Sequence, residues 1–327
     1  MNSNSSLQDR KSFFKTLGFL GVSTLLSKKL NAFSALDHNN VTLIPAGDSH
    51  KPLRIAHLTD IHVFPGKVPE YGMAKVLEEV NNNNQKIDFI INGGDAILNK
   101  CSISKSIIKQ QWNTFNNIFE NQNSLECYHC IGNHDLYSFA IPDNNHLESK
   151  KWALDEYKMA KPYYSFNKKG WKFIVLDSIH GRSSVPGYYG KLDEEQFNWL
   201  ETELRITPSD TFICIVSHIP ILAICTIFDG NNHSNKLWSV PDNCLHADAT
   251  ALTKLFYKYK NIKVCLSGHI HLIDHVNYQG IDYYCNGAVS GSWWNGSYND
   301  CDPAYAIMNF YNDGSCKREL NYYSWSK

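Results

Sequence analysis

The chain has 327 residues, 43% hydrophobic and 19% charged, with a formal net charge of −1 when histidines are neutral. That length buries one large α/β core or two smaller ones. No Lys/Arg-rich block breaks the near-neutral balance, which argues against a nucleic-acid groove, so no nucleic-acid partner is expected. The 14 histidines are the unusual count, because imidazole is the commonest metal ligand and a frequent proton carrier.

The N-terminus reads as an export signal over residues 1–34. Arg10-Lys11-Ser12-Phe13-Phe14-Lys15 is basic, Thr16 to Leu26 is a short apolar run, and Ala32-Phe33-Ser34 are small residues before a cleavage point at Ala35. The run is too short to span a bilayer, so no stable membrane span is expected. The basic hexad resembles the twin-arginine export motif with Lys in place of the second Arg, which leaves a twin-arginine-like or general secretory route to the periplasm. The alternative is an amphipathic helix of the mature fold. In an exported protein the 10 cysteines invite a disulfide reading. Cys214 and Cys265 sit in apolar strand-like runs and read as small buried hydrophobes. Cys127 and Cys130, three apart on a strand, face opposite ways and can neither bridge nor share a metal. Cys225, Cys244, Cys301 and Cys316 are the disulfide candidates, their pairing open.

Beyond a polar link, apolar runs, polar clusters and helical stretches alternate. Strands are predicted at Leu53 to Leu58, Ile87 to Ile91, Leu125 to Ile131, Thr211 to Val216 and Ile262 to Leu266. Helices are predicted over Tyr71 to Asn81, Ile103 to Gln122, Lys151 to Met159, Asp193 to Leu204 and, capped by Asp248, Ala249 to Tyr259. Tyr163 to Phe166 and Trp171 to Leu176 read as paired strands. The tail is strand-rich, at Ile281 to Cys285, Ala304 to Phe310 and Cys316 to Tyr323, with Asn312-Asp313-Gly314 as a turn. This pattern predicts an α/β layered fold with mixed sheets.

Five strand ends carry polar clusters: Asp60/His62, Asp95, Asn133/His134, His218 and His269/His271. Functional groups gather beyond the carboxyl ends of strands in open α/β sheets. On extended chain, the two-residue spacing of Asp60/His62 and of His269/His271 puts each pair on one face. An oxygen and nitrogen donor set without thiolate suits Mn, Fe, Zn or Co. Seven donors exceed the need of one ion; two ions about 3.5–4 Å apart, sharing a carboxylate, would use them all. Gly93-Gly94, Gly132 and Gly268 allow close backbone approach.

Asp60-x-His62, Gly94-Asp95, Gly132-Asn133-His134-Asp135, His218 and Gly268-His269-x-His271, in this order, resemble the calcineurin-like metallophosphoesterase family over roughly residues 53 to 275. The resemblance implies a four-layer sandwich of two mixed β-sheets flanked by helices. It gives a domain over 35–280, and a C-terminal β-rich extension over 281–327 packed on it. Residues 287–294 resemble an extension found in some exported bacterial members. It further implies that Asp60, His62 and His271 bind one divalent ion, that Asn133, His218 and His269 bind a second, and that Asp95 bridges them. His134 would lie beside the substrate phosphate as the catalytic residue, while Asp135 holds its loop. A metal-activated hydroxide would attack phosphorus. Purple acid phosphatases carry a metal-binding Tyr three positions after the bridging Asp; Leu98 stands there, so no ferric–tyrosinate site is expected.

The expected function is therefore a binuclear-metal phosphodiesterase of the envelope or periplasm, acting on a small-molecule or envelope phosphoester. Its alternatives are a phosphomonoesterase and a catalytically silent metal-binding scaffold. The motif set resembles bacterial cyclic-nucleotide phosphodiesterases, though an export signal would separate it from a cytoplasmic messenger. Ile221 to His246 is a candidate substrate-shaping loop. Trp293 and Trp294 are either an aromatic wall or packing; on a strand at most one would reach the site. His57, His129, His180 and His275 read as packed or surface histidines, and His233 and His246 as surface.

Overall fold

The computed structural model describes residues 51–100, 104–137, 146–182, 187–230, 233–234 and 236–325. The expected export signal and Cys101 lie outside the described residues. In chain order the elements are β1 (Leu53–Leu58), α1 (Lys67–Asn81), β2 (Phe89–Asn92), α2 (Lys105–Gln122), β3 (Cys127–His129), α3 (His146–Tyr157), β4 (Tyr164–Lys168) and β5 (Trp171–Val175). There follow β6 (Ile179–Gly181), β7 (Tyr188–Gly190), α4 (Glu194–Ile206), β8 (Phe212–Val216), β9 (His233–Ser234), β10 (Leu237–Trp238) and α5 (Ala249–Tyr257). The chain closes with β11 (Ile262–Ser267), β12 (Ile273–Tyr278), β13 (Ile281–Asn286), β14 (Ala304–Phe310) and β15 (Cys316–Tyr322).

Two mixed sheets organise these elements, in the orders β15-β14-β1-β2-β3 and β12-β13-β11-β8-β5-β4. β1, β2 and β3 run parallel, as do β5, β8, β11 and β13. Period-two alternation along β1 sends Leu53 and Ile55 between the sheets and Ala56 and Leu58 toward the helices. β5 likewise turns Trp171, Phe173 and Val175 inward and Ile174 outward. Edge-to-face aromatics fill the gap, with Phe173 centred 5.4 Å from Phe89 and 5.3 Å from Phe310. The first sheet's outer face carries α1, α2 and α3 through Val76, Trp112 and Ala153, and the second's carries α4 and α5 through Leu200 and Leu255. This is the expected four-layer sandwich.

Strands after residue 280 belong to the body of both sheets: β13 lies between β11 and β12, and β14 pairs with β1 from Leu53↔Phe310 to His57↔Ala306. Several boundaries differ from expectation. α1 starts at Lys67, since Pro69 is tolerated in a first turn. β3 is only three residues, because the chain turns after Cys130 so that the Gly132 amide donates to Asp135. Asp248 precedes α5 but makes no side-chain cap, its carboxylate being taken by Leu192 N and His246. β12 was not anticipated; Gln279 and Gly280, at φ of 55° and 81°, join it to β13 in a tight hairpin.

All nine described cysteines are free thiols. Cys225, Cys244 and Cys301 pack around Ile270 and Leu272, whereas Cys316 packs between the sheets, so Cys301 and Cys316 belong to different cores. Among the described residues no helix is long and apolar enough to cross a membrane.

Gly72 of α1 faces the buried Trp294 ring, which a Cβ would strike. Gly72→Ala should cost about 1–3 kcal/mol through overpacking, read as a lower Tm in thermal unfolding; an unchanged Tm would refute this contact.

Candidate metal centre

The loops after β1, β2, β3, β8 and β11 meet at one end of the sandwich and bring all seven expected ligands together. The paired ligands are not on extended chain, as the spacing argument assumed. β1 ends at Leu58, β2 at Asn92 and β11 at Ser267, beyond which Asp60, His62, Asp95, His269 and His271 take left-handed backbone, with φ of 57°, 48°, 56°, 71° and 61°. Turns rather than pleat aim these side chains. Such backbone costs about 1–2 kcal/mol per non-glycine residue and persists where its surroundings fix it. Here Asp60 N donates to Gly94 O at 3.0 Å, His62 N to Asp95 O at 2.9 Å and Gly268 N to His218 O at 3.1 Å. Close approach also demands glycine: a Cβ on Gly132 would strike the Asp95 carboxylate, and one on Gly268 that of Asp60.

One group comprises Asp60, His62 and His271. His62 Nε2 lies 3.0 Å from His271 Nε2, and Asp60 Oδ1 lies 3.3 Å from the latter. The second group is Asp95, His218 and His269, with Asn133 Oδ1 3.2 Å from His218 Nε2. Asp95 Oδ2 stands between the groups, 3.7 Å from His62 Nε2 and 3.3 Å from His218 Nε2.

Backbone carbonyls select the tautomers. His218 Nδ1–H donates to Gly93 O at 2.8 Å, His271 Nδ1–H to Gly291 O at 2.6 Å and His269 Nε2–H to Asn243 O at 2.8 Å. Each turns its other nitrogen toward the centre, which is how histidine ligands are oriented. Sequence reasoning missed these acceptors, because any residue supplies a carbonyl. It also missed Thr59, whose hydroxyl donates to Asp60 Oδ2 at 2.6 Å, and Asn99, whose amide donates to the carbonyls of His134 and Leu136.

His134 Nδ1–H donates to Leu98 O, its ring lies 4.5 Å edge-on from His62, and its amide donates to Asp95 Oδ1 at 2.7 Å. The His134 ring also groups with His62 and Asp95, its ligand atom within 4.8 Å of theirs. Asp135 accepts from the amides of Asp95, Ala96 and Gly132 and from the Tyr157 hydroxyl, so it ties two loops together. Trp293 and Trp294 divide: Trp294 is buried and donates to His62 O at 3.0 Å, while half-buried Trp293 centres 4.6 Å from the His271 ring. His246 is buried rather than on the surface, its amide bonded to Pro220 O and its ring to Asp248; His233 is exposed.

The electrostatics fit a cation. Burial would raise the Asp60 carboxyl, but His271 and His62 hold it well below the usual carboxylate range. Burial is likewise overcome at Asp95, chiefly by His218. In return, despite burial, Asp95 pushes His218 up to about 10. Burial and neighbouring imidazoles lower His62 to about 4 and His269 to about 3, keeping them neutral as ligands must be. Asp60 Oδ1 is buried without a hydrogen-bond donor, an orphan that a metal ion would satisfy. The donors fit divalent ions of the Mn, Fe, Zn or Co type.

A family model described as calcineurin-like phosphoesterase matches residues 53–272. The chain belongs to this family. As a calcineurin-like phosphoesterase it is a phosphoric ester hydrolase. It is 26% identical over 243 residues to the 3′,5′-cyclic adenosine monophosphate phosphodiesterase CpdA of Escherichia coli, covering 71% of this chain and 73% of that protein. It is 24% identical over 276 residues to a 3′,5′-cyclic-nucleotide phosphodiesterase of Nostoc sp., covering 81% of this chain and 90% of that protein. A dimetal phosphatase from Danio rerio shares the fold with a TM-score of 0.58 at 15% identity, over 84% of this chain and 100% of that one.

Asp95→Ala should abolish binding of both ions and His271→Ala of one, read as metal per chain by mass spectrometry after loading with Mn or Zn; two ions retained by Asp95→Ala would exclude Asp95 as the bridge.

Proposed function

We propose that this phosphoesterase is a binuclear-metal phosphodiesterase acting on small diesters of the cyclic-nucleotide type outside the cytoplasm. The observation that carries the reading is Asp95 Oδ2, set between two groups of imidazole-nitrogen and oxygen donors. The names of the Escherichia coli and Nostoc relatives support a diester substrate. The basic-then-apolar segment from Arg10 to Leu26 supports export.

In this reading Asp60, His62 and His271 hold one ion, Asn133, His218 and His269 the other, and Asp95 both. Two divalent ions there would supply the Lewis acidity that makes water nucleophilic near neutral pH and neutralises phosphoryl charge. The chain's own residues do the rest. Carbonyls of Gly93, Gly291 and Asn243 keep the ligand rings in their tautomers. His134, held through Nδ1, presents Nε2 to the leaving oxygen; in its doubly protonated form it gives up the Nε2 proton there and is left as the Nδ1–H tautomer that Leu98 O holds. Asp135 keeps the Asn133-His134 turn against the Asp95 loop.

Metal-reconstituted full-length protein should hydrolyse a bis-aryl phosphate and a 3′,5′-cyclic nucleotide at least about tenfold faster than an aryl monophosphate, a barrier difference of about 1.4 kcal/mol. A monoester preference would make it a phosphatase; bound metal without hydrolysis would make it a scaffold. His134→Ala should slow alkyl esters by about 10²–10⁴-fold and activated aryl esters far less; equal losses would reduce His134 to phosphate binding. Protein from the native host that retains Met1 to Ser34 would overturn the export assignment.

A further inference from the structure

The turn that carries the two tryptophans is clamped to the ligand loops. Val289 N donates to Thr59 O at 2.9 Å, Ser290 N and Oγ donate to Asp60 O at 3.1 Å and 2.8 Å, and Trp294 Nε1 donates to His62 O at 3.0 Å. From the other side His271 Nδ1–H donates to Gly291 O. Two consecutive tryptophans then adopt left-handed backbone, with φ of 47° and 70°. Bulky residues rarely do so, and the observation asks what the strain secures.

Trp294 accounts for half of it by filling the core beneath. Trp293 is turned the other way. Its ring centres 4.6 Å from His271, 6.0 Å from His62 and 5.5 Å, edge-on, from Tyr298. Tyr298 in turn donates to Asp229 at 2.7 Å, so the segment after His218 and the tail meet beside this ring. The indole is half-buried, with part of its surface left to solvent next to two ligand histidines.

We infer that Trp293 is a stacking platform for the base of a purine- or pyrimidine-bearing phosphoester, and so the residue that selects nucleotides. This rests on the phosphoesterase reading of the adjoining centre. An indole face beside phosphate-binding groups suits a nucleotide: the phosphate is held at the histidines and the planar base stacks on the ring. Base–aromatic stacking tolerates every base, because each has a π-face, so selection is for a base rather than for one particular base.

Calorimetric titration of the metal-loaded full chain with 5′-AMP and with ribose 5-phosphate isolates the base. Wild type should bind AMP about tenfold or more tightly than the base-free sugar phosphate. Trp293→Ala should bring AMP to the ribose 5-phosphate level with two ions still bound, and Trp293→Phe should keep part of the difference. Loss of both probes alike in Trp293→Ala, or loss of its metal, would show packing of His62 and His271 instead and overturn the inference. Equal binding of the probes by wild type, or binding of neither by a wild type that still hydrolyses a bis-aryl phosphate, would overturn it while leaving the metal centre's reading intact; wild type that neither binds the probes nor hydrolyses the diester would defeat that reading itself.

Discussion

Two carboxylates, Asp60 and Asp95, are buried to 0% and 1% exposure, and the rest of the centre follows from making that tolerable. A buried charge costs several kcal/mol unless it is paired and hydrogen-bonded. The protein divides each carboxylate in two. Asp60 Oδ2 takes the Thr59 hydroxyl and the His269 amide, and Asp95 Oδ1 takes the His134 amide. The other oxygens, Asp60 Oδ1 and Asp95 Oδ2, face the imidazoles of His271, His62 and His218. One oxygen locates the residue and the other is kept for a cation. The upward push that Asp95 gives His218 reflects the same demand for positive charge, which a divalent ion would meet instead.

The two sheets share the task of holding these groups. Asp60, His62, Asp95 and Asn133 follow strands of the first sheet, and His218, His269 and His271 follow strands of the second. The site exists only where the sheets close on each other, and the amide of His269 on Asp60 Oδ2 is one bond across that seam. Left-handed backbone at five ligands would be costly in isolated loops. It survives because amide-to-carbonyl bonds run between neighbouring loops, each fixing the turn beside it.

The order of strands and the donors were legible because both rest on side-chain chemistry. Apolar runs mark β1, β8 and β11 whatever their partners, and His, Asp and Asn at their ends are a narrow donor set. What was illegible depends on backbone direction. The pairing of Asp60 with His62 was rightly expected but for a reason that does not hold, since turns, not pleat, align them. Trp293 and Trp294 could not be told apart because a strand was assumed where the chain makes a turn. His246 looked like a surface residue because nothing local announces that Pro220 and Asp248 bury it. The hairpin at Gln279-Gly280 carries a turn signal, but β12's exposed, polar alternation hid the strand before it.

The family model's match ends at residue 272, yet the chain beyond it is not an appendage. β13 and β14 sit inside the sheets, between β11 and β12 and between β15 and β1. The turn from Val289 to Trp294 bonds to the carbonyls of Thr59, Asp60 and His62, the loop that carries two of the most constrained ligands. Chemistry and selection are thereby separated along the sequence but joined in space. Substitutions at the tip of this turn change what lies beside the ions without touching a ligand. Substitutions at its base reach the ligands through their backbone. A fold arranged in this way can keep one reaction and change the ester it acts on, provided the clamp itself is preserved.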